Sequence, residues 1–116
     1  MGRQSNVETE DVAMPLFFAD FEKETQGFSL EHTGAYMLLL MECFINDTLP
    51  SDIHLLCAIA RCPEPRWKNV IWPKLRPFFE QISSGQFISP TVNRWIKWAY
   101  MDYSLGSLPS PERDEK

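Results

Sequence analysis

A chain of 116 residues with 44% hydrophobic residues is the size of one globular domain with a real core. Its net charge of −5 argues against nucleic-acid binding unless the basic residues are gathered in one place. The polar start MGRQSNVETED has no signal core, no apolar run reaches the length of a membrane span, and the odd set Cys43, Cys57 and Cys62 suggests reduced thiols; a cytoplasmic protein is expected.

The charge is unevenly spread. Residues 1–28 are net −4, through Glu8, Glu10, Asp11, Asp20, Glu22 and Glu24, and residues 100–116 are net −2. Residues 61–76 carry Arg61, Arg66, Lys68, Lys74 and Arg76 against Glu64 alone.

Residues 1–13 read as a flexible acidic arm. Met14 to Phe21, opened by Pro15 and carrying Phe17, Phe18 and Phe21, reads as an extended or strand-like piece laid on the core. Gly27 turns the chain into the longest apolar stretch, Leu30 to Asn46. Ser29 is a natural N-cap for it and Glu31 suits its first turn. Leu30, Gly34, Met37, Leu38, Met41 and Ile45 recur on one face, and Tyr36, Leu40, Cys43 and Phe44 widen it. A central helix covered from more than one side is expected. Gly34, unfavourable inside a helix by about 1 kcal/mol, suggests close approach of another backbone.

A second helix is expected over 52–61, capped by Ser51 and stopped by Pro63. A third opens at Glu64-Pro65, with Trp67, Val70, Ile71, Leu75 and Phe78 buried. Pro73 and Pro77 should kink or shorten its second half. Phe79 to Ile82 and Gln86 to Ser89 flank a three-residue turn ending in Gly85, the signal of a hairpin. Ser89 and Pro90 open a fourth helix lined by Val92, Trp95, Ile96, Ala99 and Tyr103, with Gly106 as its stop. Residues 105–116 read as a disordered tail.

The expected fold is therefore mainly α with a small β-hairpin, and winged-helix-like: a three-helix core, a hairpin wing and an extra C-terminal helix, in one domain over 14–104. In such folds the third helix faces the DNA major groove. The basic cluster falls at the start of that helix, which makes Arg61, Arg66, Lys68, Asn69, Lys74 and Arg76 the candidate contacts with double-stranded DNA. The competing reading is a solvated helix face. Ser84, Gly85 and Gln86 form the wing tip, and Arg94 and Lys97 could extend the basic surface or lie over Trp95 and Trp98. Trp72 is expected on the surface, as a protein contact or dimer seam, unless the N-terminal aromatics cover it. Trp98 is the other candidate seam for a homodimer.

His54, Cys57 and Cys62 lack the grouping of a zinc site, so no metal or cofactor is expected. His32 has no carboxylate pair or nucleophile spaced to use it, and no phosphate loop or nucleophile elbow occurs. The chain does not read as an enzyme.

Four stretches carry a family resemblance: Pro15 to Phe21, Leu30 to Leu40, Leu49-Pro-Ser-Asp52 with Ala58 to Arg61, and Trp67-Lys68 with Leu75, Phe78 and Phe79. Together they resemble the YdaU-like family of prophage proteins, a family of largely unknown function. The resemblance implies a phage-borne protein encoded near replication genes, similar to the N-terminal, winged-helix-like part of a longer replication-initiation protein. The second domain of that longer form is not expected here. The expected role is DNA binding in replication initiation or its control, in the host cytoplasm. The alternative is an acidic module that binds and inhibits a host protein or defence complex, through Trp72 and the carboxylates of Glu8, Glu10, Asp11, Asp20, Glu22 and Glu24.

Overall fold

The structure is a computed structural model that describes residues 13–102. The expected tail, Tyr103, Gly106 and all of the expected arm except Ala13 lie outside the described residues, and with them Glu8, Glu10 and Asp11.

Among the described residues the chain is mainly helical, with one small antiparallel hairpin. α1 is Phe18–Glu24, α2 is Leu30–Asn46 and α3 is Ile53–Ala60. Helical turns over Glu64–Arg66, Trp67–Ile71, Trp72–Leu75 and Arg76–Phe78 follow without a break and are together α4. β1 is Glu80–Gln81, β2 is Phe87–Ile88, and α5 is Pro90–Lys97, prolonged by the wider turn Trp98–Asp102. The order α2, α3, α4, hairpin is that of a winged helix.

Local chemistry explains most boundaries. The Ser29 hydroxyl accepts from the His32 N–H (3.1 Å) and opens α2. The Ser89 hydroxyl accepts from the Val92 N–H (3.0 Å), with Pro90 at the first position of α5. For α3 the cap is Asp52 and not Ser51: its carboxylate accepts from the His54 N–H at 2.7 Å. α3 ends on Arg61, held at φ 60°, and the Cys62 N–H reaches back to the Cys57 carbonyl at 3.2 Å.

The prolines act on α4 by changing its pitch, where a kink or a shortened second half was expected. Pro73 has no N–H to offer. The turn before it widens to π geometry, with the Trp72 N–H bonded to the Trp67 carbonyl. At Pro77 the helix tightens to a 3-10 turn, Arg76–Phe78. His32 braces the wide turn from α2. Its Nε2–H donates to the Val70 carbonyl (3.0 Å), while Nδ1 accepts from the Ser29 hydroxyl (2.7 Å).

The hairpin pairs Glu80 with Ile88 and Gln81 with Phe87, and Gly85 takes φ 95° in its turn. It is also tied to the core by a bridge absent from the sequence reading. Leu49, between α2 and α3, exchanges both backbone bonds with Phe87 (2.8 and 3.0 Å).

Two expectations are overturned. Residues 18–24 form α1 and not an extended piece; only the stretch up to Phe17 is extended. The helix sets Asp20 and Glu24 four residues apart on one side, facing inward with Phe21. The face of α2 is also rotated. Ala35, Tyr36, Leu39, Leu40 and Cys43 are its buried residues, while Leu30, Gly34, Met41 and Ile45 are exposed. Among the described residues no other backbone closes on Gly34, since a Cβ there would meet nothing within 4 Å.

A polar knot joins the ends of the domain. Arg94 reaches Asp20 (2.6 Å) and Glu24 (3.1 Å), and the Trp95 indole N–H donates to Asp20 (2.8 Å). Tyr36 and Thr91 each donate to Glu24 at 2.6 Å. Burial opposes the Arg94 charge, but the hydrogen bonds and charges of Asp20 and Glu24 more than offset this and raise its pKa. Burial, and next the bond to Glu24, push the Tyr36 hydroxyl far above its ordinary range, so it remains a donor.

Two outcomes follow for stability. Gly34→Ala should raise it by about 1 kcal/mol in chemical denaturation, because the site is open and alanine favours helix. Arg94→Met should lower it by roughly 2 kcal/mol at pH 7, since it leaves two largely buried carboxylates without their cation. A stability left unchanged by the substitution would contradict the role of Arg94.

Candidate nucleic-acid interface

α4 is held by its apolar side. Trp67, Ile71 and Leu75 are fully buried, and Trp67 stacks on Trp72 with ring centroids 5.1 Å apart. Arg66, Lys68, Asn69, Pro73 and Lys74 are left on the exposed side, as is Arg61 in the turn before the helix.

These side chains are not equivalent. Arg66 makes a two-pronged bond to Glu31 at the start of α2, Nε–H to Oε2 at 2.8 Å and Nη2–H to Oε1 at 2.6 Å. Arg66 holds the Glu31 carboxyl below its ordinary range, first by hydrogen bonding and also by charge. Lys68 lies 4.0 Å from Glu64, one turn back. Lys74 sits over the Phe28 ring at 5.9 Å. Arg76 is half-buried and turned to the hairpin. It lies 4.8 Å from the Phe87 ring centre and donates to the Phe79 carbonyl at 3.1 Å. The Arg61 and Asn69 side chains are exposed and make no hydrogen bond or ion pair among the described residues. The outward cations of this face are thus Arg61, Lys68 and Lys74, with Arg66 shared and Arg76 withdrawn.

The acidic candidates separate as well. Asp20 and Glu24 are turned into the polar knot, and of the described members of that set only Glu22 is exposed. Trp72 is half-buried, packed between Trp67 and the Phe87 ring, which meets it edge to face with ring centroids 5.2 Å apart. Its expected exposure is not found; the hairpin covers it, and not the N-terminal aromatics. Trp98 is half-buried under Phe17 (5.1 Å) and Arg94 (5.7 Å). Sequence reasoning missed Glu31 and the hairpin as partners of the basic residues. The first-turn position of Glu31 was the available signal, but a contact across 35 residues is not written in local pattern.

His54 faces Glu64 at 3.3 Å, Cys57 is buried, and no group of three His, Cys, Asp or Glu side chains could hold a metal among the described residues. No helix among them is long and apolar enough to cross a membrane. An open groove of about 500 Å³ beside α2 and α3 is lined by Leu55, Ala58, Ile59, Glu42 and Asn46 among others. Burial pushes the Cys43 thiol up to about 12, and burial is also the leading cause that raises Cys57 and Cys62. Folded protein should therefore react slowly with iodoacetamide at pH 8, and all three thiols should label once the chain is unfolded. Rapid labelling of the folded chain would contradict this placement.

No curated protein and no solved structure matches the chain. A family model matches residues 14–96, which takes in α1 to α4, the hairpin and most of α5. The chain belongs to DUF1376, a family of proteins of unknown function.

Proposed function

We propose that this protein binds double-stranded DNA through the exposed side of α4, as a phage or prophage protein of the YdaU-like kind acting in replication initiation or its control. The observation that carries the reading is the outward set Lys68, Asn69 and Lys74 on α4, with Arg61 in the turn before it, in winged-helix order. Arg61 adds weight. It holds a left-handed conformation (φ 60°) that glycine would adopt more cheaply. A cation kept at such a position suits a role for its charge. Lys68 and Lys74 would contact phosphates, and Asn69 is the one uncharged side chain in the set able to read a base edge.

A second reading has one observation in its favour. The Arg66–Glu31 pair removes a positive charge from the face, which suits an acidic protein-interaction module directed at a host protein or defence complex. The inward turn of Asp20 and Glu24 weakens the acidic surface on which that module would rely.

The test is fluorescence anisotropy with a labelled random duplex at low and moderate salt. Affinity should fall steeply with salt, and Lys68→Glu with Lys74→Glu should abolish binding without loss of helical signal. Glu31→Gln frees Arg66 and should steepen the salt slope by about one. Arg61→Gly should weaken binding while raising stability by about 1 kcal/mol. An absence of binding at low salt would remove the DNA reading and leave the protein partner.

A further inference from the structure

α2 is apolar on two opposite sides, and the described residues cover only one of them. The core takes Tyr36, Leu39, Leu40 and Cys43. On the far side Leu30 is 89% exposed, Met41 42% and Ile45 53%, with Gly34 exposed between them and Met37 half-exposed. Residues 30, 34, 37, 41 and 45 follow one another in steps of three and four, the spacing of a seam between two helices. None of them is charged. A helix that is apolar all round is normally covered all round.

Gly34 sharpens the point. It lies on this stripe, it disfavours the helix, and among the described residues nothing outside its own helix backbone comes within 4 Å of the place its Cβ would occupy. A second helix from outside would be able to pack closely there.

We infer that the outer face of α2 docks, antiparallel, on the same face of a second copy of this chain. The inference does not depend on DNA binding. Charge selects this occupant. Glu31 and Glu42 are eleven residues, three helical turns, apart and so flank the stripe on the same side. Arg66 sits on Glu31 at the N-terminal end, and Glu42 and Asp47 lie at the C-terminal end. A two-fold axis across the stripe brings Arg66 of one copy toward Glu42 of the other, twice, and opposes the two helix dipoles. An uncharged stripe offers no such match to a strongly basic or strongly acidic partner. The other surfaces considered for a seam, Trp72 and Trp98, already have aromatic neighbours within the chain.

One helix per copy is a small interface, below roughly 1,200 Å² in total, so the dimer should dissociate on dilution. Sedimentation velocity of the full chain without DNA, from low micromolar to submillimolar concentration, reads this directly. The mass should rise toward that of two chains as concentration increases. Met41→Glu and Ile45→Glu, both at exposed positions, should each weaken association by about tenfold or more while leaving the circular dichroism unchanged. Glu42→Arg should weaken it to a lesser degree. A chain that stays monomeric throughout, or association that Met41→Glu does not alter, would overturn the inference. Because no DNA is present, neither outcome bears on the α4 reading.

Discussion

The contact on which the rest of the fold depends is the meeting of Arg94 with Asp20 and Glu24. One cation stands against two carboxylates, and three further donors, from Tyr36, Thr91 and Trp95, complete the set. Buried charge is tolerated only when its hydrogen bonds are satisfied. The arrangement therefore ties α1, α2 and α5 together in the one orientation that satisfies every member of the set. Around it lies the aromatic core, with Tyr36 between Phe28, Phe78 and Phe79 at 5.3–5.9 Å.

α4 shows how a helix can carry two prolines beyond its first turn and still serve as a packed element. Its pitch loosens before Pro73 and tightens at Pro77, and His32 takes up a carbonyl of the loosened turn. The same adjustment governs its outer surface. Arg66 is brought to Glu31, Arg76 is turned onto the hairpin, and Lys68, Asn69 and Lys74 are left outward. A local charge that is strongly positive in sequence is thus partly neutralised in space. Any role of this face in DNA recognition must rest on fewer cations than the sequence offers.

The hairpin has a structural duty beyond that of a wing. Through Leu49 it is stitched to the α2–α3 connection, and Phe87 closes over Trp72. A short hairpin alone would be marginal in water. Here it is supported by a third strand-like residue and an aromatic base, which fixes where the end of α4 points.

Local pattern was enough to establish the helical class, the span of α2, the caps Ser29 and Ser89, and the hairpin with Gly85. Each depends on residues within one or two turns of chain, where propensity and hydrogen bonding act directly. Tertiary structure alone decided three things. It made residues 18–24 a helix, because Asp20 and Glu24 gain Arg94 only when set on one helical face. It chose Tyr36, Leu39 and Cys43 over Leu30, Met41 and Ile45 as the core side of α2, a choice that periodicity cannot make when both sides are apolar. And it assigned partners to the basic residues, because an ion pair between residues 31 and 66 exists only once α2 and α4 are packed.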